Sequence, residues 1–287
     1  HRLMPIAAAY EAAHRPDDEE QPHRGLRTFR YREALILQTV LARRAHRWES
    51  RRTSAHPARE DGLLAAFDAA LPFRRTDGQV RVGEEIAADL AGTRPMNRLL
   101  QGDVGSGKTM VALRAMLQAV DSGGQAALLA PTEILATQHH RGLVRTLGDL
   151  ATAGRLAGGV EVMLLTGSMT QAQRQKVLLD TLTGEVDILV GTHALLTDKV
   201  QFHRLGVALI DEQHRFGVDQ RALLAAKGPG GAAPDILQAT ATPIPRTAAI
   251  TTYGDLALSI LDEKPPGRSP IDTRWVEHQV STGNRAA

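Results

Sequence analysis

Three clusters of residues in this sequence could do chemistry together. The first is Gly102-Asp103-Val104-Gly105-Ser106-Gly107-Lys108-Thr109, in the pattern G-x-x-x-x-G-K-[ST]. Such a loop gathers backbone N–H groups around a pyrophosphate, sends a lysine to the outer phosphates and offers a hydroxyl to Mg²⁺. Its glycines supply turns that a side chain would obstruct. The second cluster is Asp211-Glu212, reached directly from the apolar run Val207-Ala208-Leu209-Ile210. An aspartate ending a buried strand can hold Mg²⁺ through its water shell, and a neighbouring glutamate can orient or deprotonate the water that attacks a γ-phosphate. Gln213 and His214 follow, and Thr240-Ala241-Thr242 forms the third cluster. A single histidine without partners at ligand spacing is weak support for zinc. Small polar groups on adjacent strand ends are better placed to sense the γ-phosphate and relay its loss.

These residues need elements to hold them. Residues 97–101 form a short apolar run suited to a buried strand, and 110–120 are good helix formers without interruption. Strand, loop and helix N-terminus would then aim free N–H groups and the positive end of the helix dipole at phosphate. From about residue 80 the pattern alternates. Helices are expected at 84–90, 134–146 and 170–182, near 218–227 and after Pro245, with strands at 126–130, 161–165, 187–190, 207–210 and 235–239. Regular alternation implies right-handed crossovers and a doubly wound parallel sheet with helices on both faces, an α/β fold with its ligands at the carboxyl ends of the strands.

The first 60 residues differ in character. Residues 14–24 are polar, charged and proline-bounded, which predicts an exposed loop. A long helix is expected over 29–52, with Tyr31, Leu35, Gln38, Val40, Leu41, Ala45 and Trp48 as a rough stripe. Arg43, Arg44, Arg47, Arg51 and Arg52 crowd its second half, either as a solvated face near the helix C-terminus or as a contact for nucleic acid or a partner. Residues 50–61 read as a linker, 62–71 as a short helix stopped by Pro72, and 147–159 and 228–234 as glycine-rich surface loops. An exit from the domain is expected at 264–268.

Composition narrows the class. With 43% hydrophobic residues in 287 and no apolar run near the length of a membrane span, the chain reads as a soluble protein with a sizeable core. No cysteine is present, so disulfides and thiolate metal sites are excluded, and a reducing cytoplasm fits. Aromatics make up only 3%, which argues against recognition by extensive base stacking. The formal charge of +2 confines any nucleic-acid surface to a local patch.

The ordered series of short motifs resembles superfamily 2 helicases, and within them the RecG branch-migration helicases. Gln79 lies at the place of a Q motif, M-N-R-L-L-Q-G-D-V-G-S-G-K-T resembles motif I, and Pro131-Thr132-Glu133-Ile134-Leu135-Ala136 motif Ia. Thr166-Gly167-Ser168 is similar to motif Ib, and Gly191-Thr192-His193-Ala194-Leu195 to the next DNA-facing motif. D-E-Q-H-R-F-G-V resembles motif II with its family extension, and T-A-T-P-I-P-R-T motif III. The chain departs from the family pattern at Arg75, and at Thr137 and His140 after motif Ia.

The resemblance implies a RecA-like motor domain at 61–268, a helical connector at 1–60 and the start of a linker at 269–287. It implies ATP and Mg²⁺ as cofactors, branched double-stranded DNA as partner, no membrane, a monomer, and a cytoplasmic place in DNA repair and recombination. Lys108 would bind the β- and γ-phosphates, with Gly102, Asp103, Val104, Gly105, Ser106 and Gly107 as the cradle. Thr109 and Asp211 would hold Mg²⁺, Glu212 would activate water and Gln79 would recognise adenine. Gln213, His214, Thr240, Ala241 and Thr242 would couple hydrolysis to movement. Thr132, Gly167, Ser168 and Thr192 would lie along the DNA backbone. A wedge domain and a second motor domain carrying an arginine finger belong to the family pattern and are not in this chain. Two other readings stay open: the motor of a transcription-repair coupling translocase, and a nucleotide-gated DNA-binding module without turnover.

Overall fold

The computed structural model describes residues 3–155, 158–211, 223–224, 226–228, 230, 232–242 and 256–263. The chain opens with two helices, α1 (Ile6–His14) and α2 (Gln21–Glu49), then α3 (Leu63–Ala70) and α4 (Asp77–Leu90). The alternating region follows: β1 (Asn97–Gly102), α5 (Lys108–Asp121), β2 (Gln125–Leu129), α6 (Glu133–Leu147), α7 (Asp149–Thr152), β3 (Val162–Leu165), α8 (Gln171–Thr183) and β4 (Ile188–Gly191). A 3₁₀ turn at His193–Leu196 precedes β5 (Leu205–Asp211), β6 (Asp235–Thr240) and β7 (Ala257–Leu261).

Among the described residues the strands form one seven-stranded sheet in the order β3-β4-β2-β5-β6-β1-β7, and every pairing is parallel. This is the doubly wound parallel architecture that alternation predicts. The central strands β2, β4 and β6 are buried along their whole length, as near-continuous apolar strands must be when helices cover both faces. On one face α3, α4, α5 and α6 share a core that includes Phe67, Ile86, Leu117 and Leu143. On the other, Val177 of α8, Leu195 and Leu196 of the 3₁₀ turn and Leu224 pack with Leu189, Leu205 and Ile210.

The helix expected at 84–90 starts earlier, because Thr76 and Gln79 form a reciprocal capping box that starts α4 at Asp77. Strand β7 had no signal, since its alternating burial at the sheet edge gives only a short apolar run. It is held by pairing with β1 and by Arg98, which meets Glu85 at 3.1 Å, Asp89 at 2.8 Å and Ser259 at 2.7 Å.

The expected loop at 14–24 is shorter than its polarity suggests. Gln21 to Arg24 already belong to α2, with Pro22 tolerated in the first turn. Gly25 lets α1 lie close, since a Cβ there would stand 2.7 Å from Ala9 O. The stripe on α2 is covered only in its lower half. Leu41 is buried and Trp48 packs on the second core, donating Nε1–H to Pro95 O at 2.9 Å, whereas Leu35 and Val40 are exposed. The arginines of this helix are solvated, and Arg51 lies over the Trp48 ring.

Within the expected linker at 50–61, residues 52–56 instead form a docked strap. Thr53 N–H donates to Thr93 O, His56 N–H to Leu90 O, and Gln118 Nε2 to His56 O at 2.7 Å, while Ala233 N–H donates to Arg52 O. His56 is buried with these bonds around it. A segment without apolar periodicity can dock in this way when its backbone polar groups find partners. In the stretch expected as loop at 147–159, the short helix α7 starts at Asp149.

At the opposite end of the sheet from the strand C-termini, Asp235 is fully buried and accepts the Met96 N–H at 2.6 Å. Burial pushes its carboxyl up to about 8; the Met96 hydrogen bond opposes this and the Asp89 charge adds to it. Between its ordinary value and about 8 the folded chain therefore holds a proton that the unfolded chain does not. This contribution to stability is full below the ordinary carboxylate range and is lost as pH rises through about 8. Asp235→Asn keeps the acceptor for Met96 and removes the titration. Its thermal unfolding midpoint relative to the wild type should rise steadily from acidic to mildly alkaline pH; a constant difference would contradict this account of Asp235.

Candidate nucleotide site

Because all strands run the same way, the sheet delivers its strand ends to one edge, and the clusters of the sequence arrive there together. Gly102 ends β1, Asp211 ends β5, and Thr240 ends β6 between them, with Gln101 in register with Thr240 and Asp211 with Ala239. β5 thus lies two strands from β1, or roughly 10 Å at ordinary strand spacing. That separation accommodates a phosphate chain and a hydrated cation between loop and carboxylate.

The loop has the geometry of an anion cradle. Gly105 and Gly107 take φ of 79° and 93°, in the left-handed region that favours glycine, and Gly107 is the N-cap of α5. A Cβ on Gly102 would stand 2.6 Å from Ser106 Oγ and 2.9 Å from Leu261 O, so only glycine lets the loop fold against β7. Lys108 Nζ turns inward and donates to Gly102 O at 2.6 Å and Asp103 O at 2.9 Å. Val104 at the loop tip is exposed, as is Thr109. Ser106 Oγ is buried and finds no hydrogen-bond partner among the described residues. A cradle of positive-φ glycines, a lysine and an orphan hydroxyl suits phosphate oxygens.

Gln79 braces this cradle from behind. It is buried; its Nε2 donates to Ser106 O at 2.9 Å and its Oε1 accepts the Thr76 N–H at 3.1 Å. A Cβ at Gly107 would run into the same amide nitrogen. The side chain expected to read adenine is thus engaged with the loop and with its own capping box.

Asp211 is half-buried and meets a residue that sequence reading passed over. His139, in the middle of α6, lies with Nε2 2.7 Å from Asp211 Oδ2. A carboxylate only accepts, so this ring nitrogen carries the proton. The signal was helical spacing. Ala136, Leu143 and Leu147 are the buried positions of α6, and 139 and 140 fall on that same face one turn on from 136. His140, noted only as a departure from the family pattern, bonds Val162 O at 3.1 Å. Among the described residues no three His, Cys, Asp or Glu side chains come together as a metal cluster. A hydrated Mg²⁺ bound mainly through phosphate and water, as expected from Thr109 and Asp211, would need no such cluster.

The turn after β6 is organised by Thr240. Its buried hydroxyl accepts the Thr242 N–H at 3.2 Å, with Ala241 between them and Thr242 exposed. Glu212, Gln213 and His214 lie outside the described residues.

The remaining expected residues sit at the ends of the other strands. Thr132 is the N-cap of α6, its hydroxyl accepting the Leu135 N–H. Gly167 N–H donates to Glu133 Oε1 at 2.8 Å, which joins the turn after β3 to the same helix. Ser168 is exposed, with Oγ 3.1 Å from Thr166 Oγ1. Thr192 is buried instead, capping the 3₁₀ turn through the Ala194 N–H, and the neighbouring exposed residue is His193. No helix among the described residues is long and apolar enough to cross a membrane.

Residues 79–250 match the model of the family described as DEAD/DEAH box helicase. The chain is 48% identical over 279 residues to the ATP-dependent DNA helicase RecG of Mycobacterium leprae, covering 96% of this chain and 38% of that protein. It is 44% identical over 282 residues to the protein of the same name from Bacillus subtilis, covering 98% of this chain and 39% of that one. A solved structure of RecG bound to a three-way DNA junction superposes with a TM-score of 0.80 at 35% identity, over 94% of this chain and 35% of that one. The chain thus spans well under half the length of these relatives.

Proposed function

The chain belongs to the DEAD/DEAH box helicase family, and from that premise we propose that it is the ATP-binding motor domain of a DNA translocase that remodels branched DNA such as stalled forks and Holliday junctions. The observation that carries this is the shared edge of the sheet. The phosphate loop, Asp211 and the Thr240 turn lie on the same edge as Thr132, Gly167 and Ser168, so a change at the phosphate has a short path to surfaces suited to a nucleic-acid backbone. The relatives are ATP-dependent DNA helicases, and one is solved on a DNA junction.

On this reading residues 61–268 are the motor and 1–60 its helical connector. ATP with Mg²⁺ supplies the phosphoryl chemistry when bound. Lys108 would exchange the Gly102 and Asp103 carbonyls for phosphate oxygens, Thr109 and Asp211 would hold the hydrated cation, and Glu212 would orient the attacking water. Thr240 and Thr242, with Gln213 and His214, report loss of the γ-phosphate. The protein works in the cytoplasm as a monomer. The other wall of the cleft, with a transition-state arginine, comes from a second motor domain.

The test is ATP hydrolysis by the full-length protein with forked, linear duplex and single-stranded DNA. Forked DNA should stimulate it most, and the 287-residue chain alone should hydrolyse ATP slowly with or without DNA. Equal stimulation by every DNA would remove the branched substrate from the proposal. Full activity of the isolated chain would remove the second wall.

A further inference from the structure

We propose that His139 is a positioning residue for Asp211, setting which carboxylate oxygen is left for the magnesium shell. Its premise is the role proposed above for Asp211 beside a magnesium-bound nucleotide. The contact joins the end of β5 to the middle of α6, and its two side chains are similarly sheltered, 19% and 20% exposed. A short bond in such surroundings restricts the carboxylate to one rotamer. Oδ2 is committed to the ring, which leaves Oδ1 as the oxygen that would serve a hydrated Mg²⁺.

Helix α6 is a firm mount for this purpose. Ala136, Leu143 and Leu147 bury its inner face in the first core, and His140 ties it to Val162 O. At its N-terminus Thr132 caps the first turn and Glu133 holds the Gly167 N–H. The backbone that carries His139 is therefore held at several points, and the ring needs only its own rotamer to reach Asp211. Groups that orient a metal-binding carboxylate or imidazole from outside the coordination shell typically contribute about 10- to 100-fold to metal affinity.

The test uses the full-length protein and a fluorescent, non-hydrolysable ATP analogue, titrated with Mg²⁺ and compared with EDTA. His139→Ala should raise the Mg²⁺ concentration needed for half-maximal tight binding by about tenfold, the lower end of what such outer partners contribute. His139→Gln, whose amide N–H can reach toward Asp211, should recover most of the loss, and binding in EDTA should be the same for all variants. His139→Asn, polar but too short, repeats the measurement if the alanine variant does not fold.

An unchanged Mg²⁺ midpoint in His139→Ala overturns the proposal, as does equal weakening with and without Mg²⁺, which a merely structural role would produce. Asp211→Asn separates the two levels. If it shifts the midpoint while His139→Ala does not, the positioning role fails and the proposed function stands. If neither variant shifts it, or the wild type shows no Mg²⁺ dependence, the role of Asp211 fails as well.

Discussion

Lys108→Ala is expected to abolish nucleotide-dependent activity of the full-length protein, with ATP turnover lower by about 10²- to 10³-fold, the loss usual when a preorganised electrostatic donor is removed. The physical reason lies in what the ammonium group does at rest. It donates to two carbonyls of its own loop at 2.6 and 2.9 Å, so charge and geometry are in place before a phosphate arrives. Phosphate oxygens carry negative charge and peptide carbonyls do not, so on exchanging one for the other the ammonium gains an ion pair as well as a hydrogen bond. Alanine leaves Gly105 and Gly107 in their conformations and Gln79 on Ser106 O, so the fold should survive and circular dichroism should match the wild type. Hydrolysis at the wild-type rate in a folded Lys108→Ala protein would remove this loop from the catalytic site.

Glu212→Gln should separate binding from turnover. The position directly follows Asp211, the last residue of β5, and its proposed task is to orient and deprotonate the attacking water. Glutamine keeps the size of the side chain and loses the basic oxygen. Turnover should fall by about 10²- to 10⁴-fold, the usual contribution of a positioned general base. Nucleotide affinity and DNA binding, read by analogue fluorescence and electrophoretic mobility, should hold, and the nucleotide-bound DNA complex should persist because it cannot discharge. A protein that only uses nucleotide to gate DNA binding would be indifferent to the change. Retained turnover in this variant would favour that second reading.

Much of the fold was legible because its signals are local. Parallel strands buried on both faces must be continuous apolar runs, and 126–130 and 207–210 announce β2 and β5 to within two residues. The glycines at 105 and 107 stand where positive φ is needed, and the lysine after them starts α5. What escaped detection depends on partners far along the chain. β7 is an edge strand whose place is set by β1, 155 or more residues earlier, and by Arg98. The strap at 52–56 is polar in sequence, and docks because Thr93 O, Leu90 O and Gln118 happen to lie where its backbone needs them. Exposed Leu35 and Val40 show the reverse, a periodic stripe that nothing in the described residues covers fully.

The candidate site divides along the same line. Residue type and spacing alone determined the phosphate loop, the acidic pair after an apolar strand and the threonine turn after the next, because each is a short segment whose chemistry is written in consecutive residues. Only the tertiary structure decided how they meet. It placed Thr240 between Gly102 and Asp211, turned Gln79 inward to brace the loop, buried Thr192 as a cap, and brought His139 to Asp211 across 72 residues of chain. Such pairings depend on strand order and on which face of a helix meets the sheet, and neither is a property of any one segment.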